Sequence, residues 1–145
     1  MMEDKQLEIK LKIEDVMEDL PLLNTEGLGL NFHRGETLEE QAVELEKRRE
    51  KLLESTDAFE KTVEWLKQIK KIKSLNRNSS SYGIKHFVEK DTGYITNGVF
   101  IAAAIHSGFE HKSCRPSSIN AFFNMSERSF AEISKRREGN VRRFP

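Results

Sequence analysis

Cysteine is nearly absent from this 145-residue chain. Cys114 stands alone, so no internal disulfide can form, and a reducing cytoplasm suits it. Proline is scarce, at three residues, and no apolar run approaches the ~20 residues that a membrane span requires. The opening Met1-Met2-Glu3-Asp4-Lys5 lacks the apolar stretch of a secretory signal, so the expectation is a cytoplasmic protein away from membranes. Enzyme signatures are missing as well: there is no GxSxG, no GxxxxGK[ST] and no HExxH, and Gly27-x-Gly29 lacks the third glycine of a dinucleotide loop. The chain therefore reads as a non-enzyme that needs no cofactor. Net charge is also missing, with 24 basic residues against 24 acidic ones.

That zero conceals a segregation. Residues 1–60 carry 17 acids and 8 bases, a formal charge of −9, whereas residues 61–145 carry 7 acids and 16 bases, a formal charge of +9. Such asymmetry points either to an anionic partner, nucleic acid above all, or to neutralisation of one half by the other within a fold or across a dimer. Nine of the twelve aromatic residues fall in residues 82–145, which locates the expected core.

Hydrophobic period predicts an α+β, helix-rich fold. Leu7, Ile9, Leu11 and Ile13 alternate with charged residues, the period of a half-buried strand, so 1–36 reads as an N-terminal strand followed by a Pro- and Gly-punctuated loop. From 37 to 75 the chain reads as a charged helical rod. Thr37 and Glu40 form a capping box, and Leu38, Ala42, Leu45, Leu52, Phe59, Val63, Leu66 and Ile69 trace one stripe. A second cap at Ser55-Thr56-Asp57 leaves open one long helix or a helical hairpin. The stripe fits a homodimer through the 37–73 helix or internal packing.

The polar run at 76–81 separates the rod from a compact basic domain over 79–137, expected to fold as a unit. There a helix at 82–90, a turn at Gly93 and a helix at 97–106 have helix-turn-helix spacing. A β-hairpin follows, built from 109–112 and 119–123, then a helix from Glu127 to about Arg137 and a flexible tail at 138–145. The second helix is apolar on most sides, which suits a buried position better than a DNA groove.

Basic residues supply the candidate site. Lys67, Lys70 and Lys71 lie at helical spacing, Arg77 just beyond, and Arg136 and Arg137 belong to a second cluster; with Lys85 and Lys90 they are the candidate phosphate contacts. His106, His111 and Cys114 are chemically suited to zinc, or to a nucleophile–base pair, but their spacing matches no ligand pattern and no metal is expected.

Three runs, Ser-Ser-Ser-Tyr-Gly-Ile-Lys-His, Thr-Gly-Tyr-Ile-Thr-Asn-Gly-Val-Phe-Ile-Ala-Ala-Ala and Asn-Ala-Phe-Phe-Asn-Met-Ser, resemble small uncharacterised proteins of bacterial plasmids, prophages and integrative elements. The resemblance spans residues 79–126 and implies a mobile-element setting without transferring any catalytic residue. The expectation is a non-enzymatic nucleic-acid-binding accessory or regulatory protein. The alternative is a protein–protein interaction module that adapts or inhibits a host complex through its acidic half.

Overall fold

Ile9, Ile13, Val16 and Met17 recur at helical spacing, and the chain follows that period in its computed structural model, which describes residues 2–31 and 34–142. Met2–Asp19 is helix α1, and the N-terminal strand expected from Leu7, Ile9, Leu11 and Ile13 does not form. Both periods coexist over residues 7–13, but only the helical one continues to Met17. Glu, Lys, Leu and Met also favour helix. Ile9 and Ile13 are buried in consequence, while Leu7 and Leu11 stay 57% and 55% exposed on the opposite side.

The charged rod is two helices. Thr37 caps α2 (Leu38–Glu54) through the expected box: its Oγ1 accepts from the Glu40 N–H at 3.1 Å, and the Glu40 carboxylate accepts from the Thr37 N–H at 3.4 Å. The break comes at Ser55, where ψ swings to 44° and α3 (Thr56–Leu66) begins without a side-chain cap. Arg49, a polar intruder on the apolar stripe, closes the end of α1. Its guanidinium donates to the carbonyls of Leu20 and Leu23 at 2.9 and 2.8 Å. Leu52, Phe59, Leu66 and Ile69 are buried within the chain itself, whereas Leu38 is exposed. These four stripe residues are therefore spent on internal packing, not on a second copy.

After a turn at Lys67–Ile69, the end of the expected rod becomes strand β1 (Lys71–Asn76). Then follow α4 (Ser81–Thr92), α5 (Asn97–His106), β2 (His111–Ser113), β3 (Ala121–Met125) and α6 (Glu127–Arg142). The predicted helix pair and hairpin form as expected, with boundaries shifted by one or two residues. Helix α6 continues through 138–142, where a flexible tail was expected, and residues 143–145 lie outside the described residues. The sheet is antiparallel with strand order β1-β3-β2.

Helix α5 runs through the centre. Every residue from Asn97 to Ala104 is buried, and α1, α3 and α4 pack around it. Gly98 permits the closest approach, since a Cβ there would overlap the Asn24 carbonyl. From Asn97 to Ala104 this helix offers no exposed face of the kind that a recognition helix lays in a groove. The core is continuous from Ile9 through Phe59 and Trp65 to Ile133, so it does not divide at residue 79.

Candidate nucleic-acid interface

Alternation along β3 divides the sheet into two faces. Ala121, Phe123 and Met125 turn inward, with Phe123 edge-on to Phe100 at 5.8 Å, and Phe122 turns outward. Lys112 pairs with Phe122 across β2–β3, which places both on the outer face. From the other side the guanidinium of Arg77, one residue beyond β1, lies 5.5 Å from the Phe122 ring centre. Arg77, Phe122 and Lys112 thus form a row across the sheet, exposed at its two cationic ends.

Local structure holds this row in place. The pairing of β1 with β3 shifts register between Lys71 and Asn76. Asn124 spans the irregularity: its Nδ2 donates to the Ile72 carbonyl at 3.0 Å and its Oδ1 accepts from the Glu110 N–H at 2.7 Å. Buried Asn76 donates to the Met125 carbonyl at 3.1 Å and to Glu127 at 2.6 Å, fixing the chain just before Arg77. The hairpin closes through the Ser118 N–H donating to the Arg115 carbonyl at 3.0 Å. Pro116 and Ser117 occupy the middle of that turn, and Ser117 sits at φ 63°, a left-handed conformation unusual for a residue with a side chain.

Electrostatically the region is one-sided. Residues 70–77 and 108–125 contain six cations (Lys70, Lys71, Lys73, Arg77, Lys112 and Arg115) against the single acid Glu110. Among the described residues none of the six is in an ion pair. Lys71 instead places its Nζ 4.7 Å from the Phe109 ring centre. Burial pushes the Cys114 thiol up, with Arg115 and Arg77 pulling the other way. Burial likewise holds His111 below the usual histidine range.

The eight candidate phosphate contacts separate. Lys67, Lys70 and Lys71 do not share a helix face, because α3 ends at Leu66 and Lys71 opens a strand. Lys67 pairs with Glu64 at 2.7 Å. Lys70, Lys71 and Arg77 are exposed at or beside the sheet, and Lys90 is exposed on α4. Arg136 donates to Gln68 at 2.9 Å, which brings α6 against the end of α3. Two of the eight are structural. Lys85 is 5% exposed, paired with Glu89 at 3.2 Å, and its Nζ lies 5.4 and 5.0 Å from the ring centres of Tyr82 and Tyr94. Burial opposes the charge of Glu89, but the Ile95 N–H and the Lys85 ammonium outweigh it and lower its pKa. Arg137 is bound to Asp91 and to the Phe87 carbonyl, 2.6 and 2.9 Å away, and lies over the Phe87 ring.

Lys112, Arg115 and Phe122 are the additions that the fold makes, and Lys73, which follows Lys67, Lys70 and Lys71 in the sequence, joins them from β1. The available signal is a basic residue alternating with apolar ones, but the stripe that ends at Ile69 extends a helical rod over the same residues. His106 packs against Phe59 and His111 against Phe123. Among the described residues no three His, Cys, Asp or Glu side chains are grouped as metal ligands, and no helix is long and apolar enough to cross a membrane. No protein-family model, no curated protein and no solved structure matches the chain.

Proposed function

We propose that the chain is a non-enzymatic nucleic-acid-binding accessory protein whose phosphate contacts are made by the sheet cations Lys71, Lys73, Arg77, Lys112 and Arg115. The observation that carries this reading is the ratio of six cations to one acid in residues 70–77 and 108–125, with none of the six neutralised by an ion pair among the described residues. Cations held this way attract a polyanion through counterion release, independently of sequence. Lys67 and Arg136 form a lesser basic margin near the end of α3, and Lys85 and Arg137 are withdrawn from the set because their charges are satisfied internally. A mobile-element setting, implied by the resemblance of residues 79–126, suits an accessory protein of this kind.

A second reading has one observation in its favour. Leu7 and Leu11 stand exposed on the outer side of α1 among Glu8, Lys10, Glu14 and Asp15, a mixed apolar and charged surface of the kind that a protein partner covers. A mobility-shift titration with random-sequence duplex, single strands and RNA separates the two readings. Binding at ~50 mM salt that weakens steeply by ~200 mM supports the nucleic-acid reading. No binding to any of the three at the lower salt rejects it and favours the protein partner.

A further inference from the structure

We infer that the preferred ligand is a single strand, with an unpaired base stacked on the Phe122–Arg77 platform and its phosphates held by Lys112, Arg77 and Arg115. This inference rests on the nucleic-acid reading above and specifies the ligand class at the same site.

Phe122 differs from the ring-paired aromatic side chains of the second half, and like Phe109 and Tyr94 it meets a cation instead. Phe87, Phe100, Phe123 and Phe130 each pack against another ring, but the ring contact of Phe122 is with the Arg77 guanidinium alone. It is half-buried, so its foot is anchored in the sheet while part of the ring faces outward. The Arg77 guanidinium lies over this ring and is itself a planar stacking surface, so a base stacks on the guanidinium or takes its place on the ring. Lys112 flanks the ring on the opposite strand. Beyond Lys112 the surface continues into a groove of about 260 Å³ between β2 and the 20–28 segment, lined by Leu20, Pro21, Leu22 and Leu28. Neighbouring bases therefore meet apolar side chains, and among the described residues no acid lines this groove.

Duplex geometry does not use such a surface. In a paired helix the faces of the bases are covered by their neighbours, and only edges and phosphates reach a protein. An aromatic ring on a sheet flanked by cations is a surface on which an unstacked base can lie. Duplex binding remains open to the cations, but it leaves Phe122 idle.

The test is fluorescence anisotropy with the full chain and three probes: an oligothymidylate of about 20 nucleotides, an oligouridylate of equal length, and a duplex of equal length. The DNA and RNA arms show whether the 2′-hydroxyl matters. Phe122→Leu keeps the apolar foot and removes the stacking face, and Phe122→Tyr keeps the face. The inference expects tighter binding to single strands than to duplex. It expects Phe122→Leu to weaken single-strand binding by about 5- to 150-fold, with Phe122→Tyr near wild type and duplex affinity unchanged in both. Arg77→Gln should lower the salt slope on single strands by about 0.7. If Phe122→Leu loses its circular-dichroism transition, the preference of the wild-type chain for single strands over duplex decides the matter. Equal binding of duplex and single strands with no effect of these variants overturns the inference and leaves the nucleic-acid reading standing. No binding to any probe at ~50 mM salt overturns both.

Discussion

Arg137 donates to the Asp91 carboxylate at 2.6 Å, and the same oxygen accepts from the indole N–H of Trp65 at 2.7 Å. Three helices, α3, α4 and α6, meet at this one carboxylate. The Arg137 hydrogen bond holds Asp91 below the usual carboxylate range, against the opposing effect of its partial burial. Asp91→Ala leaves the Trp65 N–H without its acceptor and should destabilise the fold by about 1–3 kcal/mol. Urea denaturation at pH 7 would record a lower midpoint with an unchanged slope. A midpoint equal to wild type would mean that the junction contributes nothing.

The pH dependence follows from the same group and from two histidines. Because the folded pKa of Asp91 lies below its unfolded value, its contribution is present above pH ~4 and is lost as pH falls through the folded value. His106 and His111 are both lowered, chiefly by burial, and Lys12 adds to the effect at His106 while Asp15 opposes it. Their neutral forms are favoured on folding, so their contribution is complete above pH ~6.5 and declines below it. The melting temperature should thus be flat from pH 7 to 8 and fall in two stages on acidification. A melting temperature that rises between pH 6.5 and 5 would contradict the assignment.

Residues 79–137 should not fold alone. The core that encloses α5 includes Phe59, Trp65 and Leu66 from α3, and β1 supplies one of the two partners of β3. A Ser79–Arg137 fragment loses all of these and should show no cooperative thermal transition. In the full chain, Phe59→Ala should cost about 3–5 kcal/mol. A fragment that melts cooperatively would place the core boundary at residue 79 after all.

Much of this fold was legible in the chain. The Thr37–Glu40 box, the helix pair around Gly93 and the 109–123 hairpin are set by local devices, a cap, a positive-φ glycine and a turn, and all three form. The failures share a cause. Leu7, Ile9, Leu11 and Ile13 satisfy two periods at once, and the helical one, which continues to Met17, is the one that packs against α3 and α5. Lys71–Asn76 carries only a short alternation, at Lys71, Ile72 and Lys73, and it becomes a strand by pairing with the edge of β3. The site inherited that second failure. Lys67, Lys70 and Lys71 were grouped by helical spacing, whereas Arg77, Phe122 and Lys112 are brought into one row by strand pairing between distant segments. Lys85 and Arg137 look like surface cations in the sequence, but their partners Glu89 and Asp91 become visible only through helix geometry and packing.

Gly98 tests how tightly α5 is held. A methyl group at this position meets the Asn24 carbonyl, and the Gly98 N–H also donates to the Thr25 carbonyl at 3.0 Å. Gly98→Ala must displace backbone on one side, and a loss of about 1–3 kcal/mol is expected. Thermal denaturation of this variant beside Gly139→Ala, a glycine with open space around it, provides the control. Equal melting temperatures would show that the 24–28 segment gives way freely.

The most direct measurement is the salt dependence of nucleic-acid affinity for the wild-type chain and for Lys73→Glu/Arg77→Glu/Lys112→Glu. All three side chains are exposed and make no ion pair among the described residues, so reversal should leave the thermal transition in place. Wild type should bind a single strand at ~50 mM salt with a log–log slope of several times 0.7. The triple variant should lose measurable binding, or retain a slope smaller by about 2. A folded triple variant that binds with wild-type affinity and slope would contradict the assignment of the sheet surface as the phosphate-binding face.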